Sequence, residues 1–221
     1  MSKAPTFMGM TPRGVAVFPR LNTPEIPPYD GYTGPALYTT SLRIKTEDCE
    51  QLRQEIDALF DENFESAKEE HGARKCTEAD TRGYEAEYGR DSEGNETDTL
   101  TGYTVFKFKL PSEVIRKRDG AVRTFRPALF DAKLNPTEAE IGGGSELKVK
   151  FEARGWIMKG TKYNCGVKLS LKAVQVLTLV APSGGGGADS NGFEKEDGFD
   201  ASEESGGFVD ETVSTPGGSD Y

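Results

Sequence analysis

Apolar and polar residues alternate along several segments of this chain, as they do in strands that bury one face. The alternation is clearest in residues 105–110 and 146–154, where apolar positions define one face and lysines occupy the other. Residues 36–45 and 167–180 are also predicted to form strands. In the last of these the apolar positions change phase, which predicts a β-bulge near Ala173 and Val174.

A helical period follows the first of these strands. Thr46 is predicted to cap the helix at its N-terminus, and the helix to run to about residue 70. The apolar residues recur at offsets of 0, 4, 7, 8 and 12 positions and define one helical face: Leu52, Ile56, Leu59, Phe60 and Phe64.

The other segments are less regular. Residues 1–35 are rich in proline and glycine and are predicted to form an irregular arm, and residues 72–100 a long polar loop. Residues 122–130 are a weaker strand candidate because Pro127 interrupts them. Residues 116–120 resemble a hairpin tip, which could contact phosphate or be a solvated turn.

About five strands with one helix between them predict a mainly β protein. The best match is an OB-fold-like five-stranded barrel with an inserted amphipathic helix, although a generic α+β sandwich fits almost as well. Residues 1–182 are predicted to form this domain. Residues 183–187, Ser-Gly-Gly-Gly-Gly, form a flexible linker, and the acidic residues 188–221 a disordered tail.

Charge is distributed unevenly along the 221 residues, although the formal net charge is −10. Residues 188–221 hold ten acids and one lysine, and residues 46–99 hold 18 acids and 6 bases. The remainder of the chain therefore carries a surplus of bases. Opposite charges on one chain suggest self-contact, with a tail that can occupy the basic surface.

Composition argues against several classes of protein. No segment approaches the ~20 apolar residues of a membrane span, and no signal peptide is evident. The three cysteines are widely spaced, which argues against a zinc site and a disulfide framework. The single histidine, His71, argues against a Ser-His-Asp site. We expect neither catalysis nor a cofactor or metal; a carboxylate–metal nuclease is a distant third possibility.

Cations on the polar faces of two strands are the strongest functional pattern. They are suited to follow a phosphate backbone, although lysines on a strand can also serve solubility alone. Trp156, next to them, could stack on a base, or it could only pack half-buried against the protein. Tyr103 and Tyr163 are weaker stacking candidates. The strand residues concerned are Lys107, Lys109, Lys148, Lys150 and Arg154.

Aromatic residues interrupt the acidic tail, namely Phe193, Phe199, Phe208 and the terminal Tyr221. Acidic residues with spaced aromatics suit docking onto a basic, grooved partner. An inert disordered tail is the alternative.

Residues 141–151, together with 106–109 and 167–171, resemble motifs of a known family. The family is that of the single-stranded DNA-binding proteins of short-tailed, autographivirus-type bacteriophages. The resemblance covers roughly residues 36–221, because the first strand, the amphipathic helix and the acidic tail ending in an aromatic also follow the family's order.

The resemblance implies an OB-fold with a helix inserted between early strands. It implies a homodimer that coats single-stranded DNA without sequence preference during phage DNA replication, recombination and repair, in the cytoplasm of the infected bacterium. It also implies that the tail contacts the phage DNA polymerase and helicase-primase and competes with DNA for the basic cleft.

The resemblance also suggests roles for individual residues. Lys150 takes the place of a DNA-contacting lysine, and Trp156 that of a tyrosine that stacks on bases. Lys109 lies in the matching strand, Lys3 at a matching basic position, and Arg82 matches a family arginine loosely. Tyr221 stands where the family usually has phenylalanine.

Two positions depart from the family. Pro111 replaces an aromatic, and Glu146 replaces a base in the glycine-serine-lysine segment. The predicted DNA-binding residues are Lys3, Arg82, Lys107, Lys109, Lys148, Lys150, Arg154 and Trp156, and the predicted partner-binding residues of the tail are Phe208, Asp210, Glu211, Asp220 and Tyr221. The alternative function is an acidic interaction module that mimics DNA and sequesters a basic host protein.

Overall fold

The computed structural model describes residues 4–28, 30–78, 81–116 and 118–182. The elements are, in chain order, β1 (Thr6–Met10), β2 (Gly14–Glu25), β3 (Leu37–Lys45), a 3₁₀ turn (Thr46–Cys49), α1 (Glu50–His71), a second 3₁₀ turn (Ala73–Lys75), β4 (Cys76–Glu78), β5 (Tyr84–Arg90), β6 (Glu96–Pro111), β7 (Glu113–Ile115), β8 (Val122–Thr124), β9 (Ala128–Phe130), β10 (Glu146–Lys159) and β11 (Tyr163–Thr178). No helix in these residues is long and apolar enough to cross a membrane.

Five of the strands pair in a closed ring, in the order β2–β3–β6–β11–β10 and back to β2. The pairings are antiparallel except for β6 with β11, which is parallel. The ring is not a regular barrel, because two of its junctions, β10–β2 and β6–β11, consist of only two residue pairs each. The prediction of a mainly β, OB-like fold with one inserted helix is confirmed, although four further strands, β1, β4, β5 and β9, join the ring from outside.

The core fills the ring with the inward side chains of the alternating strands. Phe106, Phe108 and Phe151 are almost completely buried, and the rings of Phe108 and Phe151 lie 5.3 Å apart. Helix α1 adds Ile56 and Phe60, which are also fully buried. Each such side chain contributes roughly 1.5–3 kcal/mol through burial, so the inward faces determine which faces of the strands point outward.

The prediction of an irregular arm over residues 1–35 was wrong for the residues that β1 and β2 occupy. Gly14 lies against the side chains of Leu42 and Ile44, where a β-carbon would clash. Phe18 has a φ of 47° at a register shift in the β2–β3 pairing. Glycine therefore occurs here where two strands approach closely, and proline occurs near an irregularity within a strand. Composition alone does not distinguish these positions from a loop.

The predicted helix forms, but Thr46 is not its N-cap. Thr46 begins a 3₁₀ turn, and its hydroxyl lies 3.0 Å from that of Thr104. Cys49 occupies the N-cap position without a side-chain hydrogen bond. The helix ends at His71, one residue beyond the predicted end.

The long loop predicted for residues 72–100 was also wrong. The segment contains β4, β5 and the beginning of β6, and β5 pairs antiparallel with β6. Every residue of β5 is exposed or half-buried, and its alternation of Tyr84, Ala86 and Tyr88 with glutamates is too weakly apolar to mark a buried face. A strand whose two faces are both exposed to solvent cannot be recognised from hydrophobic periodicity.

Residues 81–83 form a seam between β6 and β11. The Val167 amide donates to the Thr81 carbonyl at 3.1 Å, and the Lys107 amide to the Gly83 carbonyl at 2.9 Å. Gly83 has a φ of 80°, and a β-carbon there would clash with Leu169. The seam thus bridges strands where their direct pairing ends.

Two local predictions are confirmed. The register of β10 with β11 shifts at Lys172, one residue before the predicted bulge. The described residues of the predicted hairpin tip, 116 and 118–120, lie in the turn of the β7–β8 hairpin, where the Gly120 amide donates to the Arg116 carbonyl at 2.8 Å. Residues 122–130 divide into β8 and β9, with Pro127 between them.

Candidate functional site

The polar rows on β6 and β10 both point out of the ring. Lys107 and Lys109 alternate with buried phenylalanines in β6 and are exposed. In β10 the inward residues at 147, 149, 151 and 153 are completely buried. The intervening positions, Lys148, Lys150 and Arg154, therefore lie on the outside, as the alternation predicted.

Strand β11 lies between these two rows and joins them. Ser170 pairs with Lys109 on one side and with Glu152 on the other. Because neighbouring strands are about 4.8 Å apart, β6 and β10 lie about 10 Å apart across β11. Sequence reasoning predicted β11 as a strand but did not recognise its own outward cations, Lys168 and Lys172.

We call this surface the basic face. It is the outward side of β6, β11 and β10, with the cations Lys107, Lys109, Lys148, Lys150, Arg154, Lys168 and Lys172.

Carboxylates hold some of these cations. Lys107 Nζ lies 2.6 Å from Glu85 Oε2. Glu152 holds two, with Lys172 Nζ at 2.7 Å and Arg154 Nη2 at 2.8 Å. Within the described part of the chain, the other four cations form no ion pair: Lys109, Lys148, Lys150 and Lys168. Their charges are available to an external anion.

Glu152 is the anionic centre of the basic face. Its side chain is only 19% exposed. The hydrogen bond from Lys172 lowers its pKa below the usual 4.5, with further lowering from Arg154. The carboxylate therefore remains charged down to lower pH than an ordinary glutamate.

Replacing Glu152 by glutamine is expected to lower the free energy of unfolding at pH 7 by about 0.5–1 kcal/mol. A depressed pKa in the folded state stabilises the fold above the pKa of the unfolded state, and this advantage is lost as the pH falls through the folded pKa. The stabilities of the two proteins should therefore approach each other as the pH falls below 4.5, and urea denaturation at pH 7 and under acidic conditions measures this.

Glu138 provides a matched control for that substitution. It pairs with Arg126 at 3.3 Å, but its side chain is 86% exposed. Glu138→Gln should leave the unfolding free energy almost unchanged at either pH. An equal loss in both variants would contradict the role of Glu152.

Trp156 lies within β10, two positions beyond Arg154, and not at a loop edge as the sequence suggested. It is half-buried, and it pairs with Gly166, where a β-carbon would clash with the indole ring. The Asn63 side-chain amide donates to its backbone carbonyl at 3.1 Å. The indole is thus fixed over the backbone of β11, at one end of the basic face.

The other candidate side chains make different contacts. The Arg82 guanidinium turns to α1, where it lies 3.0 Å from Asp57 Oδ1 and 4.1 Å from the centre of the Phe60 ring. The structure therefore does not bring Arg82 into the row of lysines.

The two weaker stacking candidates already have partners. The Arg43 guanidinium lies 3.5 Å above the ring of Tyr103. The ring of Tyr163 stacks on that of His71, with the ring centres 3.8 Å apart. Trp156 is the predicted aromatic that stays on the basic face.

Lys3, the linker and every predicted partner-binding residue of the tail lie outside the described residues. Within the described ranges there is no group of three or more histidine, cysteine, aspartate or glutamate residues that could hold a metal ion.

Known proteins resemble this chain in sequence. Residues 20–179 match the family model described as single-stranded DNA-binding protein, bacteriophage T7. The single-stranded DNA-binding protein of Escherichia phage T7 is 30% identical over 177 residues, 78% of this chain and 75% of that protein. The protein of the same name from Enterobacteria phage T3 is 30% identical over 179 residues, with the same coverage.

Solved structures share the fold. The crystal structure of gp2.5, a single-stranded DNA-binding protein encoded by bacteriophage T7, matches with a TM-score of 0.64 and 24% identity, over 89% of this chain and all of that one. The single-stranded DNA-binding protein of bacteriophage Enc34, solved in complex with single-stranded DNA, matches with a TM-score of 0.50 and 17% identity, over 80% and 89% of the two chains.

Proposed function

This chain belongs to the family of the bacteriophage T7 single-stranded DNA-binding protein, and we propose that it binds single-stranded DNA without sequence preference across the basic face. The observation that carries the proposal is the convergence of cations from β6, β11 and β10 on one surface with Trp156. The relatives' names support single-stranded DNA as the ligand, and the geometry supports the basic face as the surface that binds it.

The unpaired lysines contact phosphates first. Lys109, Lys150 and their unpaired neighbours carry charge that no carboxylate of the described residues neutralises. Arg154 and Lys172 contact phosphates only where the DNA displaces the Glu152 carboxylate from them. Neutralising phosphates releases condensed counterions, which makes the affinity depend strongly on salt.

Trp156 supplies the second component of binding. Every base has a π-face, so stacking on an indole adds roughly 1–3 kcal/mol per base without selecting sequence. The ring lies over Gly166, so the backbone of β11 supports one side of the platform. A strand lying along β10 would meet the cations and then the indole.

Titration of the protein with oligo-dT, followed by the fluorescence of Trp156, tests the proposal. The chain has a single tryptophan, so the emission reports on one place. We expect quenching and, for about five phosphate contacts, a log–log salt slope of about −3.5. Binding without salt dependence would overturn the electrostatic mechanism. Absence of binding, with and without the tail, would overturn the function and favour the acidic DNA mimic.

We also propose that the acidic tail competes with DNA for the basic face and docks onto replication proteins. The tail's ten acids can occupy the same cations as phosphates, and the glycine-rich linker would tether them at roughly millimolar local concentration. Displaced by DNA, the tail would present Phe208, Asp210, Glu211, Asp220 and Tyr221 to basic surfaces of the phage DNA polymerase and helicase-primase. The same proposal includes a homodimer acting without catalysis or cofactor in the host cytoplasm during replication, recombination and repair.

Deleting residues 196–221 is expected to tighten oligo-dT binding several-fold at low salt, with the difference shrinking at high salt. The physical reason is the loss of a tethered competing anion. The control is a full-length variant with the acids of that segment replaced by their amides, which should behave like the deletion. Unchanged or weaker binding by both variants would contradict the competition.

A further inference from the structure

Methionines concentrate beside the basic face. The chain has four, and three of them, Met8, Met10 and Met158, lie in β1 and β10. Their exposed fractions are 55%, 61% and 57%. Methionine is among the side chains most often fully buried, so this concentration of exposed ones is unusual.

Core packing does not explain the two methionines of β1. The inward positions of this strand are occupied by Phe7, whose ring meets that of Phe151 edge-on at 6.1 Å, and by Gly9, which lies against the same ring. Met8 and Met10 alternate with these residues and therefore point outward.

The register places these methionines directly beside the charges. Strand β1 pairs with β10, so Met10 lies opposite Lys150 and Met8 opposite Glu152. Met158 follows Trp156 at the next outward position of β10. The four-strand surface β6–β11–β10–β1 thus places apolar thioethers next to cations, about one strand spacing of 4.8 Å apart.

This interleaving identifies the chemistry of the occupant. A surface that binds only phosphates needs no exposed methionines, and a purely apolar partner would be repelled by unpaired lysines such as Lys150. A single-stranded nucleic acid offers an anionic backbone and exposed apolar base faces within one nucleotide. Methionine is flexible and polarizable, and it contacts aromatic rings favourably.

We propose that Met8, Met10 and Met158 contact the bases of single-stranded DNA, so that the DNA path extends from the basic face over β1. The inference rests on the proposed function. Lys150 binds a phosphate while Met10 packs against the attached base, and Met158 extends the platform of Trp156. Thioethers adapt to any base, which fits binding without sequence preference.

Substitution with serine tests the contact in the full-length protein. Met8→Ser with Met10→Ser is expected to weaken oligo-dT binding by about three- to tenfold. Because these contacts are apolar, the loss should be the same at all salt concentrations, with the log–log slope unchanged. The matched control is Ile26→Ser, since Ile26 is 68% exposed and follows β2. Urea denaturation of each variant verifies that it is folded.

Oxidation by hydrogen peroxide provides a second readout that needs no substitution. Saturating oligo-dT should slow sulfoxide formation at Met8, Met10 and Met158, measured by peptide mass spectrometry. Two results would overturn the inference and leave the proposed function intact. In the first, the wild type binds oligo-dT but its methionines are oxidised as fast as without DNA. In the second, the Met8→Ser/Met10→Ser variant binds oligo-dT as tightly as the wild type. A change in oligomeric state with unchanged DNA affinity would also overturn the inference, because the patch would then bind a second copy. Failure of the wild type to bind any oligo-dT would overturn both.

Discussion

Replacing Lys109 and Lys150 together by glutamine is expected to weaken single-stranded DNA binding by about a hundredfold at fixed moderate salt. Both lysines are exposed, and within the described residues neither forms an ion pair, so each can give its full charge to a phosphate. A hydrogen bond to a charged group contributes about 1.5–3 kcal/mol, which is at least tenfold per lysine. Fluorescence titration at four salt concentrations should also show a slope shallower by about 1.4.

Two further substitutions make this result specific. Lys133→Gln removes an exposed lysine from the turn after β9, outside the basic face, and should change neither the affinity nor the slope. Lys107→Gln should cost less than Lys109→Gln, because Glu85 already holds Lys107 at 2.6 Å. If Lys109→Gln, Lys107→Gln and Lys133→Gln weakened DNA binding equally, the affinity would depend on net charge and not on the position of a lysine on the basic face.

Replacing Phe151 by alanine is expected to lower the free energy of unfolding by about 3–5 kcal/mol. Phe151 is completely buried, and its ring contacts those of Phe7 and Phe108. A cavity at this point would loosen β1, β6 and β10 together, and these strands carry most of the basic face. Since small domains are stable by only about 5–15 kcal/mol, the loss is a large fraction of the total. Urea denaturation of the two proteins measures it.

Phe125→Ala is the matched control, because Phe125 follows β8 and is 40% exposed. It should cost about 1 kcal/mol or less, since less apolar area returns to water. A similar loss for both substitutions would mean that the ring of strands does not rely on Phe151 as its central contact.

The alternation of apolar and polar residues predicted the strands that have one solvent-exposed and one buried face. In β10 the inward residues are completely buried, and the outward ones are polar as far as Arg154, so the period of two is visible in the sequence. The strands missed, among them β1, β2 and β5, depart from this condition. In β5 most positions are exposed, and in β2 Phe18 interrupts the register, so no period is expected from either.

The composition of the candidate site was predictable, but its arrangement was not. Lys109 and Lys150 were singled out because each alternates with buried residues. Strand β11, the last strand of the described residues, lies between them, and the order of strands in a ring cannot be read from local periodicity. Lys168 and Lys172 carried the same pattern as the lysines of β6 and β10 and were recognisable in principle.

Individual contacts depended on partners far away in the sequence. Arg82 was assigned to DNA because it loosely matches an arginine of the family, yet Asp57 and Phe60 hold it against α1. Trp156 was expected at an edge because Gly155 precedes it. That glycine instead admits Asn63 of α1, whose side chain would clash with a β-carbon there.

The seam at residues 81–83 divides the connection between α1 and β6 into parts that differ in their tolerance to insertion. Its two carbonyls accept amides from β6 and from β11, so one added residue would shift both pairings at once. The exposed turn at residues 91–95 closes instead on itself, through hydrogen bonds between Asp91 and Asn95. A peptide tag or fluorescent probe inserted before Gly94 would leave the ring intact, whereas the same insertion at Gly83 would separate β6 from β11.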